Sequence, residues 1–397
     1  MKIQNSILPK RNIYFLVVIV PFLMGLGVDL YVPSLPMVTS YFHTSANLVQ
    51  LTISLYLLGY GIGQVVLGVL SDSFGRKKIL ILCALSFSLI SFASILSSNI
   101  FIFQTFRFLQ GICVAGLAVV VRAVLVDVFS GIELRKATTY FTLSWSLGPI
   151  LAPFIGSNLE KCFGWKSNFY VFCIYGLFIF IYSLIRFKET NLNLTQFNIT
   201  KTYSTLSSII THPTFMLIST ISALGYGAIV LFNAVGPFLI EVLLKYSVVE
   251  YGTFALILGF AYFFGTISNS IAIKFFNSNI LLHFGLIASL SGSIFMLLLG
   301  ILLHINLYII LIPVFIIFFF IGFIVPNALA LTMSLFSNSA GSASAIFGTI
   351  TGIVVFIVIS LGSNLKTNSQ IPLTFIYMFI FVVSTILFVL SKKIKNK

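Results

Sequence analysis

The stretch Ile305–Leu329, INLYIILIPVFIIFFFIGFIVPNAL, carries no charged side chain. As a helix rising 1.5 Å per residue it is long enough to cross a hydrocarbon core of about 30 Å. A membrane strand would need only about ten residues of alternating polarity, so the run predicts a helix and not a barrel strand. The whole chain shares this character: of its 397 residues 59% are hydrophobic and 8% charged, with mean hydropathy +1.13. Soluble domains carry about a quarter charged residues, and a soluble fold this poor in charge could not cover its own surface. Lipid must do the covering, and inside lipid each backbone N–H and C=O needs an internal partner, which a helix supplies.

Comparable apolar windows lie at 13–33, 47–67, 78–97, 101–124, 137–157, 167–186, 214–239, 251–272, 279–300, 305–329, 343–363 and 372–391. The first could pass for a secretory leader. No small-residue cleavage site ends it near Asp29, however, and eleven further windows follow, so it reads as the first span. The expected architecture is therefore an all-α membrane protein of twelve helices. It comprises an N-terminal tail (1–12), a first six-helix bundle (13–186), a linker (187–213), a second six-helix bundle (214–391) and a C-terminal tail (392–397).

Charge sets the orientation. The net charge of +14 comes from residues in short loops between apolar windows, so it reports topology and not affinity for nucleic acid. With the N-terminus cytoplasmic, the inside receives Lys2, Lys10, Arg11, Arg76, Lys77, Lys78, Arg122, Arg135, Lys136, Arg186, Lys188, Lys201, Lys274 and the four tail lysines. The outside receives Lys161, Lys166, Lys245 and Lys366, and Arg107 stays within the membrane. Both termini are thus expected in the cytoplasm, together with the sequons at Asn193 and Asn198, which glycosylation would not reach. Gly68, Asp72, Ser73 and Lys77 recur as Gly265, Asn269, Ser270 and Lys274 at one constant offset, which suggests duplicated halves with a site between them.

Two ionisable groups fall at membrane depth, where they are costly and point to function. Asp29 is expected about 6 Å and Arg107 about 9 Å below the outer rim, counted along spans one and four. If those spans are neighbours, the two groups pair directly or through water. Either they couple protons to transport or they form a structural ion pair. The turn Gly68-x-x-x-Asp72-x-x-Gly75-Arg76-Lys77-Lys78 carries two spaced glycines, for a close helix approach and a tight turn, and a charge cluster able to hold helix ends together. Gln50, Ser54, Gly61 and Gln64 share one face of span two, as a cavity wall or as interhelical glue, and Gln110 shares a face with Arg107. The second half has no charge deep in a span. Its polar candidates are Tyr226, Asn233 and Asn327, with Pro237 and Pro326 disturbing their helices. Gly148, Pro149 and Pro153 mark span five as a hinge or a fixed kink.

Cys83, Cys113, Cys162 and Cys173 lack metal-ligand spacing, as do His43, His212, His283 and His304. None of these histidines has an acidic residue within five positions, which argues against a membrane enzyme. No phosphate-cradling Walker loop is present, which argues against ATP as the energy source. No cofactor or metal is expected.

The Gly68–Lys78 turn resembles the loop between helices two and three of the major facilitator superfamily, with Ser73 where that family usually has Arg. Arg107-x-x-Gln110-Gly111 resembles its fourth-helix antiporter motif. A narrower resemblance is to the bicyclomycin and chloramphenicol resistance (Bcr/CflA) branch of drug:proton antiporters. It rests on Asp29-Leu-Tyr31-Val-Pro-Ser-Leu-Pro36, Gln50-Leu-Thr-Ile-Ser54-Leu, Arg107-Phe-Leu-Gln-Gly111, Gly148-Pro-Ile-Leu-Ala-Pro153 and Gly164-Trp165, nearly all in the first half. The resemblance implies a monomeric exporter of the bacterial inner membrane that exchanges protons for small amphipathic compounds. It casts Asp29 and Arg107 as the proton-coupling pair. Gly68, Asp72, Gly75, Arg76, Lys77 and Asp127 become a cytoplasmic gate, and Tyr31, Gln50, Ser54, Gln110 and Asn233 cavity residues. Export of a siderophore or another metabolite, import or uniport on the same fold, and a non-transporting sensor are the alternatives.

Overall fold

The computed structural model describes residues 10–191, 199–336, 339–364 and 368–395. The sequons at Asn193 and Asn198, together with Lys2, Lys366 and Lys397, lie outside these residues. In chain order the elements are α1 (Lys10–Asp29), a 3₁₀ turn (Val32–Ser34), α2 (Leu35–Tyr41), α3 (Ala46–Phe74), α4 (Arg76–Ile95), α5 (Ile100–Val128), α6 (Gly131–Phe163) and α7 (Lys166–Arg186). They continue with α8 (Ile199–Ile210), α9 (Pro213–Pro237), a π-helical turn (Phe238–Leu243), α10 (Val248–Ala272), α11 (Ser278–Leu302), α12 (Leu307–Leu335), α13 (Ala340–Gly362) and α14 (Ile371–Lys395).

Among the described residues, eleven helical runs are long and apolar enough to cross a membrane, counting Lys10–Tyr41 and Pro213–Leu243 as one run each. The expected fifth span, 137–157, lies inside α6, which is not one of the eleven. Thr138, Thr139, Thr142, Ser144 and Ser146, with Pro149 and Pro153, make this charge-free stretch less apolar than its neighbours.

The ends of these helices are written in local sequence. Asn99, Asn277 and Asn306 accept hydrogen bonds from the backbone N–H groups of Ile102, Ile280 and Ile309, satisfying donors that a helix start leaves open. Ser247 and Glu250 cap α10 reciprocally.

Hydropathy windows end at the first polar residues, whereas helices continue past them. Ser71–Phe74 form the last turn of α3 and Arg76–Lys78 the first turn of α4, so the expected loop is the single residue Gly75. Its φ of +98° is a left-handed conformation that a side chain would strain. The first run continues through the 3₁₀ turn to Tyr41, beyond Asp29, which closes α1. The linker contains α8, whose Ile209 is buried beside Phe215 and Ile346. Finally, α6 passes through Pro149 and Pro153 as one continuous helix.

Packing falls into two similar patterns. In one, α3 packs on α5, α4 on α5 and α7, and α1 on α5 and α6. In the other, α10 packs on α12, α11 on α12 and α14, and α9 on α12 and α13. The two sets meet where α3 lies along α13 and α10 along α6. A shared detail supports the likeness. A Cβ on Gly59 would stand 2.1 Å from the Phe108 carbonyl oxygen, and one on Gly111 1.9 Å from that of Tyr56. The same reciprocal crossing recurs at Gly265, 1.9 Å from the Phe319 oxygen, and at Gly322, 2.9 Å from that of Tyr262. The packing repeat therefore pairs Gly59 with Gly265, not Gly68 with Gly265 as the sequence echo does. Gly68, expected to allow the close approach, would meet only a Val119 methyl group, at 3.3 Å.

Gly111→Ala must push backbone against backbone at this crossing. Overpacking costs about 1–3 kcal/mol even where side chains can yield. A fall of several degrees in the thermal unfolding midpoint of the purified protein is expected, and an unchanged midpoint would show that α3 and α5 can separate freely.

Candidate functional site

Arg107 is the centre of the site. It projects from α5, is 0% exposed, and donates to the Gly27 carbonyl oxygen at 3.0 Å and to Gln110 Oε1 at 2.9 Å. Gly27 lies two residues before the end of α1, so its carbonyl is among those a helix terminus leaves without a partner. Arg107 thus caps α1 and places a positive charge at the negative end of that helix. Its guanidinium carbon lies 4.3 Å from the Tyr56 ring centre, 4.6 Å from that of Tyr31 and 5.9 Å from that of Phe169, so three aromatic faces share the charge. Gly27 makes room for this box, since a Cβ there would stand 2.1 Å from the Tyr56 hydroxyl. Gln110 passes the network on, donating to Ser91 Oγ at 2.8 Å, and Ser91 donates to the Phe87 carbonyl. The Tyr31 hydroxyl bonds Thr52.

Asp29 ends α1 and is 3% exposed. Among the described residues no ion pair joins it to Arg107; its Oδ1 accepts from Asn233 Nδ2 at 2.7 Å. Asn233 belongs to α9, so this bond runs from one packing set to the other. The direct contact open to Asp29 is therefore made by a residue of the charge-poor second half, while Arg107 reaches the same helix end through its backbone. Of the remaining expected cavity residues, Ser54 donates to its own helix at Leu51, and Gln50 keeps a buried oxygen without a partner.

The second cluster lies at the α3–α4 corner. Arg76 is buried, binds Asp72 and Ser71, and reaches Asp127 at the end of α5 at 3.3 Å. Lys77 donates from its Nζ to the Leu184 carbonyl. The structure adds Glu189, which the sequence reading left in the linker without a role. It accepts from the backbone N–H groups of Arg76 and Lys77 at 2.9 and 3.0 Å, placing a carboxylate on the N-terminus of α4. A Cβ on Gly75 would stand 2.5 Å from this carboxylate, a second reason for glycine there. Only tertiary proximity marks Glu189, because nothing near it in sequence distinguishes it from other linker residues.

Arg122 was counted above among cytoplasmic loop charges. It projects from within α5 and donates to Gln64 Oε1 and Ser344 Oγ, both at 2.9 Å, tying α5 and α3 to α13. Nearby, Thr349 on α13 donates to the Gly61 carbonyl at 2.7 Å. Gly61 and Gln64 of the polar face are therefore interhelical contacts. At the opposite end of the same seam Ser363 and Asn364 bond Asn47, so the two sets touch at both ends. Arg122→Ala removes one bond across the seam, to Ser344 of α13, and one to Gln64 of α3 beside it. With Ala345→Cys, next to Ser344 on α13, as a reporter and the native cysteines replaced, maleimide labelling is expected to run several-fold faster in the Arg122→Ala protein. Equal rates would deny Arg122 a role in closing this end.

The profile of the Major Facilitator Superfamily matches residues 17–359. The chain is 36% identical over 178 residues to the uncharacterized MFS-type transporter YdgK of Bacillus subtilis (strain 168), covering 44% of each chain. It is 35% identical over 159 residues to the bicyclomycin resistance protein homolog of Haemophilus influenzae, covering 40% of each. The matches thus span less than half the length of these relatives. Among solved structures, a D-xylose-proton symporter superposes with a TM-score of 0.76 over 96% of this chain and 97% of that one, at 16% identity, which is a likeness of fold.

Proposed function

The chain belongs to the Major Facilitator Superfamily, and on that premise we propose that it is a proton-coupled exporter of small amphipathic compounds working by alternating access. It is a multi-pass membrane transporter and not an enzyme. In the proposed cycle, helices α1 to α7, with α1 and α2 as one span, and α9 to α14 form two six-helix bundles that rock about the α3–α13 and α6–α10 seams. Both termini face the cytoplasm, the membrane is the bacterial inner membrane, and one copy suffices.

The observation that carries the reading is the Asp29–Asn233 bond across the two sets, with Arg107 fixed to the same helix end. A charged carboxylate accepts a stronger bond from an amide than a neutral carboxyl does. Protonation of Asp29 would therefore loosen one tie between the bundles and leave the Arg107 charge less balanced, linking proton binding to relative movement. The cluster of Asp72, Gly75, Arg76, Lys77 and Asp127, with Gly68 beside it on α3, acts as the cytoplasmic gate. The seam contacts of Arg122 lie on the same side. Tyr31, Gln50, Ser54, Gln110 and Asn233 surround the path, and Gly148, Pro149 and Pro153 form the hinge of α6, the first two against Gly25 of α1 and Pro153 against Gly252 of α10. The relative named for bicyclomycin resistance favours a drug-like substrate.

Inside-out vesicles from cells producing the chain supply the test, with radiolabelled chloramphenicol as probe. Acidifying the vesicle interior is expected to drive accumulation that a protonophore abolishes. Uptake indifferent to the gradient would favour uniport, and accumulation confined to right-side-out vesicles would favour import.

A further inference from the structure

Asp29 is followed by a strap, residues 30–34, that joins α1 to α2. Pro33 has no N–H to give the Asp29 carbonyl, so α1 stops at Asp29 and the chain turns into the 3₁₀ segment. The Ser34 N–H closes that segment on the Tyr31 carbonyl at 2.9 Å. Leu30, Tyr31, Val32 and Ser34 are each 0% exposed. The strap lies between the two packing sets, for its 3₁₀ turn rests on α6 of one set and on α9 and α10 of the other.

Its polar anchors are one-sided. Ser34 Oγ donates to the Glu160 carboxylate near the end of α6 and accepts from Asn168 Nδ2, in the first turn of α7, at 3.0 Å. The Tyr31 hydroxyl bonds Thr52 of α3, and its ring lies 4.6 Å from the Arg107 guanidinium carbon. Gly156 of α6 lets the strap seat: a Cβ there would overlap the Leu30 carbonyl oxygen and stand 3.4 Å from Asn168 Oδ1. Among the described residues, every hydrogen bond from the strap to another helix thus stays in the set of α3, α6 and α7. Against α9 and α10 the strap has packing alone. The bond that crosses is the one from Asn233 to Asp29, immediately before the strap.

This asymmetry bears on which partner Asp29 keeps when the sets part. Asp29 and Ser34 are separated by four residues, and Leu30, Tyr31 and Ser34 are all held. With so little slack the end of α1 stays beside Arg107, and the Asn233 bond is the one that breaks. A strap free of Ser34 would let the end of α1 follow Asn233, so the two sets could part with Asp29 still bonded. We propose that Ser34, Glu160 and Asn168 are positioning residues for Asp29, a clamp that makes the Asp29–Asn233 bond open and close in each cycle. The clamp serves Asp29, so it rests on the proton-coupled reading given above.

The test uses the full-length protein in proteoliposomes with labelled chloramphenicol, and compares exchange at equal pH with accumulation driven by a pH gradient. Ser34→Ala and Glu160→Ala should each lower accumulation by about fivefold, the weight of one ordinary hydrogen bond, and leave exchange unchanged. Because the two variants remove the same bond, the double variant should lose no more than either single one. Glu160→Gln, whose amide oxygen still accepts from Ser34, should accumulate like the unmodified protein. Full accumulation in Ser34→Ala and Glu160→Ala would overturn the clamp, as would losses that multiply in the double variant. Exchange falling in step with accumulation would also overturn it, since these residues would then serve the fold alone. So would a Glu160→Gln protein as impaired as Glu160→Ala, because charge and not the bond would be what matters. Full accumulation by Asp29→Asn, or none by the unmodified protein, would instead remove the proton-coupled reading, and the clamp with it.

Discussion

Asp29→Asn is expected to abolish transport driven by a pH gradient while leaving the protein folded. Asparagine matches aspartate in shape, and its amide oxygen can accept the Asn233 donor in place of Oδ1. What disappears is the charge. A charge-assisted bond becomes a neutral one, a difference of about 1 kcal/mol that a protein of this size tolerates. Coupling has no such tolerance, because the group can no longer take up or release a proton. In proteoliposomes the Asp29→Asn protein should exchange labelled chloramphenicol down its own gradient yet fail to concentrate it when a pH gradient is imposed. Full accumulation by this variant would remove Asp29 from the coupling mechanism. Loss of exchange as well would mean that the carboxylate holds the bundles in register, a structural role.

The same residue shows where sequence reading succeeds and where it stops. A lone carboxylate in an apolar run is visible because its cost in lipid makes it rare, and Arg107 is visible for the same reason. Their partners are not. Asn233 lies more than two hundred positions from Asp29, on a helix whose amide could equally have faced its neighbours in the second half. Glu189 became part of the α4 cap only because the chain after α7 returns to the α3–α4 corner. Arg122, near the end of its apolar window and assigned to the cytoplasmic side, gave no sign in sequence of its contacts with Gln64 and Ser344. The helices themselves were legible, since apolar length is a local property. Their ends were less so, because a helix continues for as long as its backbone donors and acceptors find partners, whatever the hydropathy.

Arg107→Lys should be nearly as damaging as Arg107→Ala, although it keeps the positive charge. The guanidinium sends separate N–H groups to the Gly27 carbonyl and to Gln110 Oε1 while its flat face lies against the Tyr31 and Tyr56 rings. An ammonium group on a thinner stem cannot hold both acceptors and fill the same slot. One buried acceptor is then left open, at a cost of about 1–3 kcal/mol, and the contact with the rings weakens by about 0.5–2 kcal/mol. If the Gly27 bond is the one lost, the end of α1 is no longer capped, and Asp29 at that end meets the negative pole of its own helix with less opposing charge. Arg107→Ala adds a cavity where a large, fully buried side chain stood. Both variants are therefore expected to unfold at lower temperature than the unmodified protein and to lose gradient-driven accumulation. Gln110→Asn, which shortens one partner and spares the α1 cap, should lose far less. Thermal unfolding and transport measured side by side would decide the matter. If Arg107→Lys transports and melts like the unmodified protein, charge alone is what the site requires, and the forked contact that joins α5 to the end of α1 has no part in coupling.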